Sequence, residues 1–258
     1  MKENDKRKII FFLLSFFLFP FPPSSAAELD EIQKRGYVIV AVKDNLRPLG
    51  FRDLRGNLQG LEIDLAQRLS QDLLGKSGAV RLQSVANRER LSVVLEGKVD
   101  LTIASVTITA SRARLVNFSI PYYLNGTALI TQDASVQKLG DIARRKIAVL
   151  KGSATIAKVR YLLPDSQLVE VDSYELARSL LNMGVADAFA ADANVLSGWI
   201  QEYPQYRLLP TLLGAEALCV VMPRGLQYEQ LRRQINAAIA RYSADGWLQQ
   251  RAKYWGLP

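Results

Sequence analysis

The sequence predicts an α/β fold of two lobes joined by two crossings, and three observations carry that expectation. Short β-branched or apolar runs alternate with stretches of helical periodicity, the alternation falls into two separate series, and the stretches 124–135 and 211–219 are long enough to run between them as extended segments.

In the first series YVIVAV (37–42) reads as a buried strand. GLEIDLAQRLSQDLLG follows as a helix, with Leu61, Leu65, Leu69 and Leu73 at four-residue spacing and Gly75 as its stop. AVRLQSV, a short helix around 90–96 and VDLTIAS (99–105) repeat the order strand, helix, strand, which predicts a mostly parallel sheet with helices on its faces. The second series opens at KIAVL (146–150). It continues through a helix over 153–163, the strand LVEV, the helix SYELARSLLNMG, the strand DAFAA and a helix over 193–201, and residues 226–256 read as two closing helices. Asn57 beside Gly56 reads as a turn. The expected domains are residues 28–127 with 217–258 as lobe 1, and 128–216, crossovers included, as lobe 2.

Residues 1–27 stand apart. A polar start with four basic side chains, the apolar run IIFFLLSFFLFPF and the small residues PSSAA have the layout of a secretory signal peptide, with cleavage expected after Ala26 or Ala27. Retention as an anchor is the alternative, but the apolar run is interrupted by proline and short of the roughly 20 residues of a spanning helix. The chain is therefore expected to be exported to the periplasm.

The formal net charge is +8, and residues 1–27 hold four basic and two acidic groups, which leaves +6 for residues 28–258. That charge is scattered along helices and forms no basic stripe with interleaved aromatics, so nucleic acid is not expected as a partner. The single cysteine, Cys219, excludes an internal disulfide and sits in the apolar run ALCVVM as a core thiol. The absence of histidine removes the commonest general base and metal ligand, so no catalytic residue, metal or cofactor is expected.

Ligands of open α/β sheets sit at the C-terminal ends of the strands. In lobe 1 those ends carry Lys43, Asp44 and Asn45, then Asn87 and Arg88, then Ser105, Thr107 and Arg112; in lobe 2 they carry Gly152, Ser153, Thr155 and Asp192. Fixed cations, hydroxyls and one isolated carboxylate make a cage suited to a zwitterion.

Five stretches, GLEIDLAQRLSQDLLG, LEGKVDLTIASVTITASRARLVNFSIPYY, KIAVLKGSATI, VADAFAADANV and DGWLQQRAKYWG, occur in the order found in the periplasmic solute-binding proteins of amino-acid ABC transporters, which the chain resembles over residues 28–258. The resemblance implies the two-lobed periplasmic-binding-protein-like type II fold with two crossover hinges, and a monomer that hands a free amino acid to ABC permease subunits. It also implies roles. Arg112 clamps the α-carboxylate, Asp192 accepts the α-ammonium, Thr107 and Ser105 contact the ligand's backbone part, and Gly152 with Ser153 opens a helix whose amides face the carboxylate. Ala154 stands where many members have a hydroxyl, which leaves that contact to the main chain alone or shifts it to Thr155.

For the side chain of the ligand, Lys43 and Arg88 match cations that the acidic-amino-acid subgroup uses, so glutamate or aspartate is favoured and glutamine next. Asp44 offers the opposite selector, because it matches an aspartate that holds a distal nitrogen. Lys43 and Arg88 also have neighbouring partners in Asp44 and Glu89, Asp192 could serve only as a helix N-cap, and Arg47 has no assigned role. Tyr122 and Tyr123 read as core or hinge residues, and Trp199, Trp247 and Trp255 as core. Two alternatives share the scaffold: an enzyme of the cyclohexadienyl dehydratase kind, which needs a pocket acid or base that the sequence does not place, and the ligand-binding part of a sensor.

Overall fold

The computed structural model describes residues 26–153 and 155–257; residues 1–25 of the expected signal peptide and the Ala154 substitution lie outside them. The first half runs α1 (Leu29–Arg35), β1 (Val38–Val42), β2 (Asn45–Leu46), β3 (Gly50–Arg52), β4 (Leu58–Gln59), α2 (Leu61–Leu74), β5 (Val80–Ser84), a 3₁₀ turn at Asn87–Glu89, α3 (Ser92–Leu95), β6 (Leu101–Ile103) and α4 (Ala110–Ala113). The long strand β7 (Asn117–Thr131) then leads into α5 (Leu139–Ile142), β8 (Lys146–Leu150), α6 (Thr155–Leu162), β9 (Gln167–Val171), α7 (Tyr174–Asn182), β10 (Ala188–Asp192), α8 (Ala193–Glu202) and β11 (Arg207–Leu208). The chain returns through β12 (Leu213–Met222) and closes with α9 (Glu229–Ala244) and α10 (Trp247–Tyr254).

Among the described residues the main sheet has the order β5-β1-β6-β12-β7-β10-β8-β9, with β11 beside β7, and β2-β3-β4 form a small separate sheet. The outer strands on each side pair in parallel, as the alternation of strand and helix requires. The centre departs from the mostly parallel expectation. Here β7 and β12 pair antiparallel with each other, β12 pairs antiparallel with β6, and β10 and β11 pair antiparallel with β7. The two segments expected as crossovers are thus the two longest strands, and they pass from one lobe to the other side by side.

Side-chain alternation sets the layers. Val38, Val40 and Val42 of β1 join the leucines of α2 and the apolar faces of α9 and α10, while Ala41 faces a second cluster around Val93, Val94 and Val116. In the other lobe Ile147 and Val149 of β8 pack towards Val159 and Leu163, and Ala148 packs towards Phe189, Leu196 and Trp199. Leu61, Leu65, Leu69 and Leu73 are all buried, so the four-residue spacing does mark the core face of α2. Gly75 ends that helix at φ 68°, a left-handed cap.

Cys219 is a fully buried free thiol, pushed up to about 11 by burial. Tyr122 and Trp199 are buried core residues, and Tyr123, Trp247 and Trp255 pack partly buried against the same core as Tyr122.

Candidate ligand-binding cleft

A cleft of about 350 Å³ lies between the lobes, where the ends of β1, β6, β8 and β10 converge on the two crossing strands. Its volume falls at the lower end of the range for small-molecule sites. The wall of lobe 1 is built on the segment after β6. Ser105 stands there at φ 52°, in the left-handed region, and Thr107 bridges to Leu218 of β12.

Arg112 reaches the cleft from the one-turn helix α4, whose N-cap hydroxyl, Thr109, accepts from the Arg112 amide at 3.2 Å. One edge of the guanidinium is committed: Nη1 donates to the Thr107 carbonyl at 2.9 Å and to its hydroxyl at 3.0 Å. Among the described residues Nε and Nη2 have no hydrogen-bond partner, so the rest of the fork is available to a carboxylate.

Asp192 ends β10 on the opposite wall. It stands at the N-cap of α8, yet its carboxylate makes no capping hydrogen bond, so that alternative use of the side chain is not taken up. Burial, and secondarily Glu216, pushes its pKa up, while Lys158 and Arg90 pull it down. Ser153 and Thr155 also line the cleft, and the Ser153 hydroxyl is buried with no partner among the described residues. Lys43 lines it with only 4% of its surface exposed and donates from Nζ to the Val85 carbonyl at 3.0 Å. Its pKa is lowered by burial first and by Arg90 second.

Three expected site residues are placed elsewhere. Arg88 points to solvent, its side chain 88% exposed and 3.8 Å from Glu89. The reason is the 3₁₀ turn. At three residues per turn positions 87 and 90 share a face, so Asn87 and Arg90 line the cleft and the intervening arginine cannot. Asp44 pairs with Arg52 at 3.3 Å, because alternation along the extended segment sends Lys43 and Asn45 into the cleft and the residue between them away from it. Gly152, at φ 69°, forms the turn before α6 and does not line the cleft, and the Ser153 amide is already bonded to the Leu150 carbonyl.

Four polar lining residues, Arg90, Glu216, Asn125 and Tyr174, were not singled out from sequence. Arg90 donates from Nη1 to the carbonyls of Ala104 at 3.1 Å and Ser105 at 2.7 Å, and burial together with the nearby Arg112 lowers its pKa. Glu216 of β12 lies opposite Asn125 of β7, so the crossing strands contribute both to the floor. Lys158 of α6 forms an ion pair with Glu216. Asn125 is buried and accepts from the Asn194 amide at 3.2 Å, tying β7 to the start of α8. Tyr174, at the start of α7, also lines the cleft. With Glu216 neutralised by Lys158, the wall presents Lys43, Arg90 and Arg112 against Asp192.

A two-lobed α/β protein with a polar cleft crossed by two strands is the architecture of an extracytoplasmic solute receptor. The chain belongs to the bacterial extracellular solute-binding proteins, family 3, which it matches over residues 38–258. It is 30% identical to a glutamine-binding protein of Geobacillus stearothermophilus over 73% of each chain. It is 29% identical to the glutamate-binding protein GluB of Corynebacterium glutamicum, over 84% of this chain and 77% of that one. Among solved structures, an ancestral cationic amino acid solute binding protein superposes with a TM-score of 0.75 at 24% identity, covering 88% of this chain and 99% of the other, a likeness of fold.

Proposed function

We propose that the protein is exported through its N-terminal leader, captures a free amino acid in the interlobe cleft and delivers it to an ABC permease. The observation that carries this reading is the opposition of two uncommitted groups: the free donors of Arg112 on one wall and the uncapped carboxylate of Asp192 on the other. An α-carboxylate and an α-ammonium complement them, and the unpartnered Ser153 hydroxyl supplies a further contact. Lobe 1 groups receive the ligand in an open form and lobe 2 adds Asp192 on closure, so occupancy stabilises the closed state that a permease recognises.

Glutamate or aspartate is the favoured ligand and glutamine the next. The support is the excess of cations, with Arg90 taking the distal role expected of Arg88 and Lys43 behind it. The relatives named for glutamine and glutamate are consistent with that pair. A thermal-shift screen of the twenty amino acids tests the assignment: a ligand at 100 times its Kd adds about 2.7 kcal/mol. Largest stabilisation by lysine or arginine would overturn the acidic preference, and no stabilisation by any amino acid would overturn the whole reading.

The dehydratase alternative gains one feature from the structure, a cleft glutamate, but Glu216 is held by Lys158 and is not poised as a free acid. Turnover of a prephenate-type substrate by the purified protein would favour that alternative.

A further inference from the structure

Glu62 is an ionisable group that the lining of the cleft leaves unexplained. It sits in the first turn of α2 with no solvent exposure. Its Oε1 accepts from the Ser105 amide at 2.6 Å and from the Tyr122 hydroxyl at 2.6 Å, and its Oε2 is buried with no partner among the described residues. The Ser105 backbone, at φ 52°, is costly for a residue with a side chain and persists only where its surroundings hold it. Glu62 holds its N–H and Arg90 its carbonyl. The carboxylate therefore stands one backbone thickness behind the cleft wall.

The charged and titratable groups facing Glu62 are Lys43 at the end of β1, Arg90 after the 3₁₀ turn and Tyr122 on β7, with the Cys219 thiol of β12 beyond Tyr122. Burial pushes Glu62 up to about 6 despite the pull of the Tyr122 and Ser105 hydrogen bonds and of the two cations. The chain has no histidine to titrate in the same range.

We propose that Glu62 is a positioning residue that tunes the charge preference of the cleft: ionised, it offsets part of the charge of Arg90 and Lys43 and narrows the preference for a second carboxylate, and protonated, it leaves both cations to that carboxylate. This rests on the amino-acid reading of the cleft. A dicarboxylic ligand beside Arg90 and Lys43 makes the Glu62 charge more costly, so its binding takes up a proton. By linkage, affinity for glutamate rises as pH falls through the titration of Glu62, whereas glutamine, which adds no charge, is far less affected. Asp192, also pushed up by burial, faces the ammonium that both ligands share and cancels in their ratio.

The test is calorimetry with glutamate and glutamine at pH about 7.5 and about 5.5, on the wild type and on Glu62→Gln. The glutamate-to-glutamine affinity ratio should rise about fivefold on acidification in the wild type and stay level in the variant. Should the variant not fold, glutamate titrations of the wild type near pH 6, in two buffers of different ionisation enthalpy, should show proton uptake that glutamine lacks. A level wild-type ratio, an equal rise in Glu62→Gln, or equal proton uptake with both ligands overturns the inference while leaving the amino-acid reading intact. Failure of both ligands to bind at either pH overturns that reading and the inference with it.

Discussion

A methyl group placed on Gly198 would lie 2.4 Å from the Arg47 carbonyl oxygen, so α8 of one lobe meets the loop before β3 of the other with room only for hydrogen. The contact is between lobes, and the Arg47 guanidinium lies 3.7 Å over the Phe51 ring. The loop that had no assigned role is thus part of the surface where the lobes meet, and on the proposed mechanism part of the surface that closes.

Gly198→Ala should separate closure from folding. Alanine in a helix interior adds up to about 1 kcal/mol of helix propensity, so the unliganded protein should melt no lower than the wild type. The closed state must give way around the methyl, and ligand affinity should drop about tenfold or more. Thermal melts with and without saturating amino acid check this. An undiminished ligand-induced shift would mean that the loop moves aside at no cost.

Arg112→Ala should leave the fold intact and abolish binding of every amino acid, since removing one partner of a buried charge pair costs roughly 3 to 5 kcal/mol. Arg112→Lys should also bind weakly, because Thr107 already occupies one edge of the fork and a point charge cannot serve both partners. Calorimetry within tenfold of the wild type for either variant would remove Arg112 from the clamp.

Asp192→Asn should weaken α-amino acids while sparing analogues without the amino group. An amide still accepts a hydrogen bond but cannot balance an ammonium, and no capping bond is lost with the charge. Equal losses for both ligand classes would point to a structural role.

In the unliganded protein Glu62 should make stability depend on pH. Its folded-state pKa lies above the unfolded value, so the native state binds the extra proton and stability falls as pH rises from about 4.5 through about 6. The difference between wild type and Glu62→Gln in urea denaturation should change by up to about 2 kcal/mol across that window. A constant difference would mean that Glu62 titrates at its ordinary value.

Features determined by local periodicity were legible in the sequence. KIAVL is β8 to the residue, because a short apolar run between turn-forming residues has one way to be buried, and the leucine spacing marked the core face of α2. Arg112, Asp192, Ser105, Thr107, Ser153 and Lys43 reach one cleft because each ends or follows a strand whose end was readable. What failed was phase. A 3₁₀ turn, indistinguishable in sequence from a turn of α-helix, exchanged Arg88 for Arg90, and one step of alternation removed Asp44. Glu216, Asn125 and Tyr174 come from crossing strands and a helix start that only tertiary structure brings to the cleft, so no local pattern marked them.

That exchange gives the sharpest test of selectivity. Arg90 is anchored by three carbonyls, Asn87, Ala104 and Ser105, so its charge is held in the cleft, while Arg88 extends into solvent. Arg90→Met keeps much of the apolar stem and removes the charge. If Arg90 faces the distal carboxylate, glutamate affinity should fall by an order of magnitude or more, since hydrogen bonds to charged groups contribute roughly 1.5 to 3 kcal/mol. Glutamine should fall much less, because its distal group carries no charge. Arg88→Met should change neither, as a solvated charge with one loosely held partner contributes little. Because Arg90 also supports the Ser105 carbonyl, the ratio of the two ligands is the quantity to read: a disturbed wall lowers both together, and only a lost distal contact separates them. Equal losses on Arg90→Met would assign it to the wall alone, and a selective loss on Arg88→Met would restore the arginine that the turn points outward.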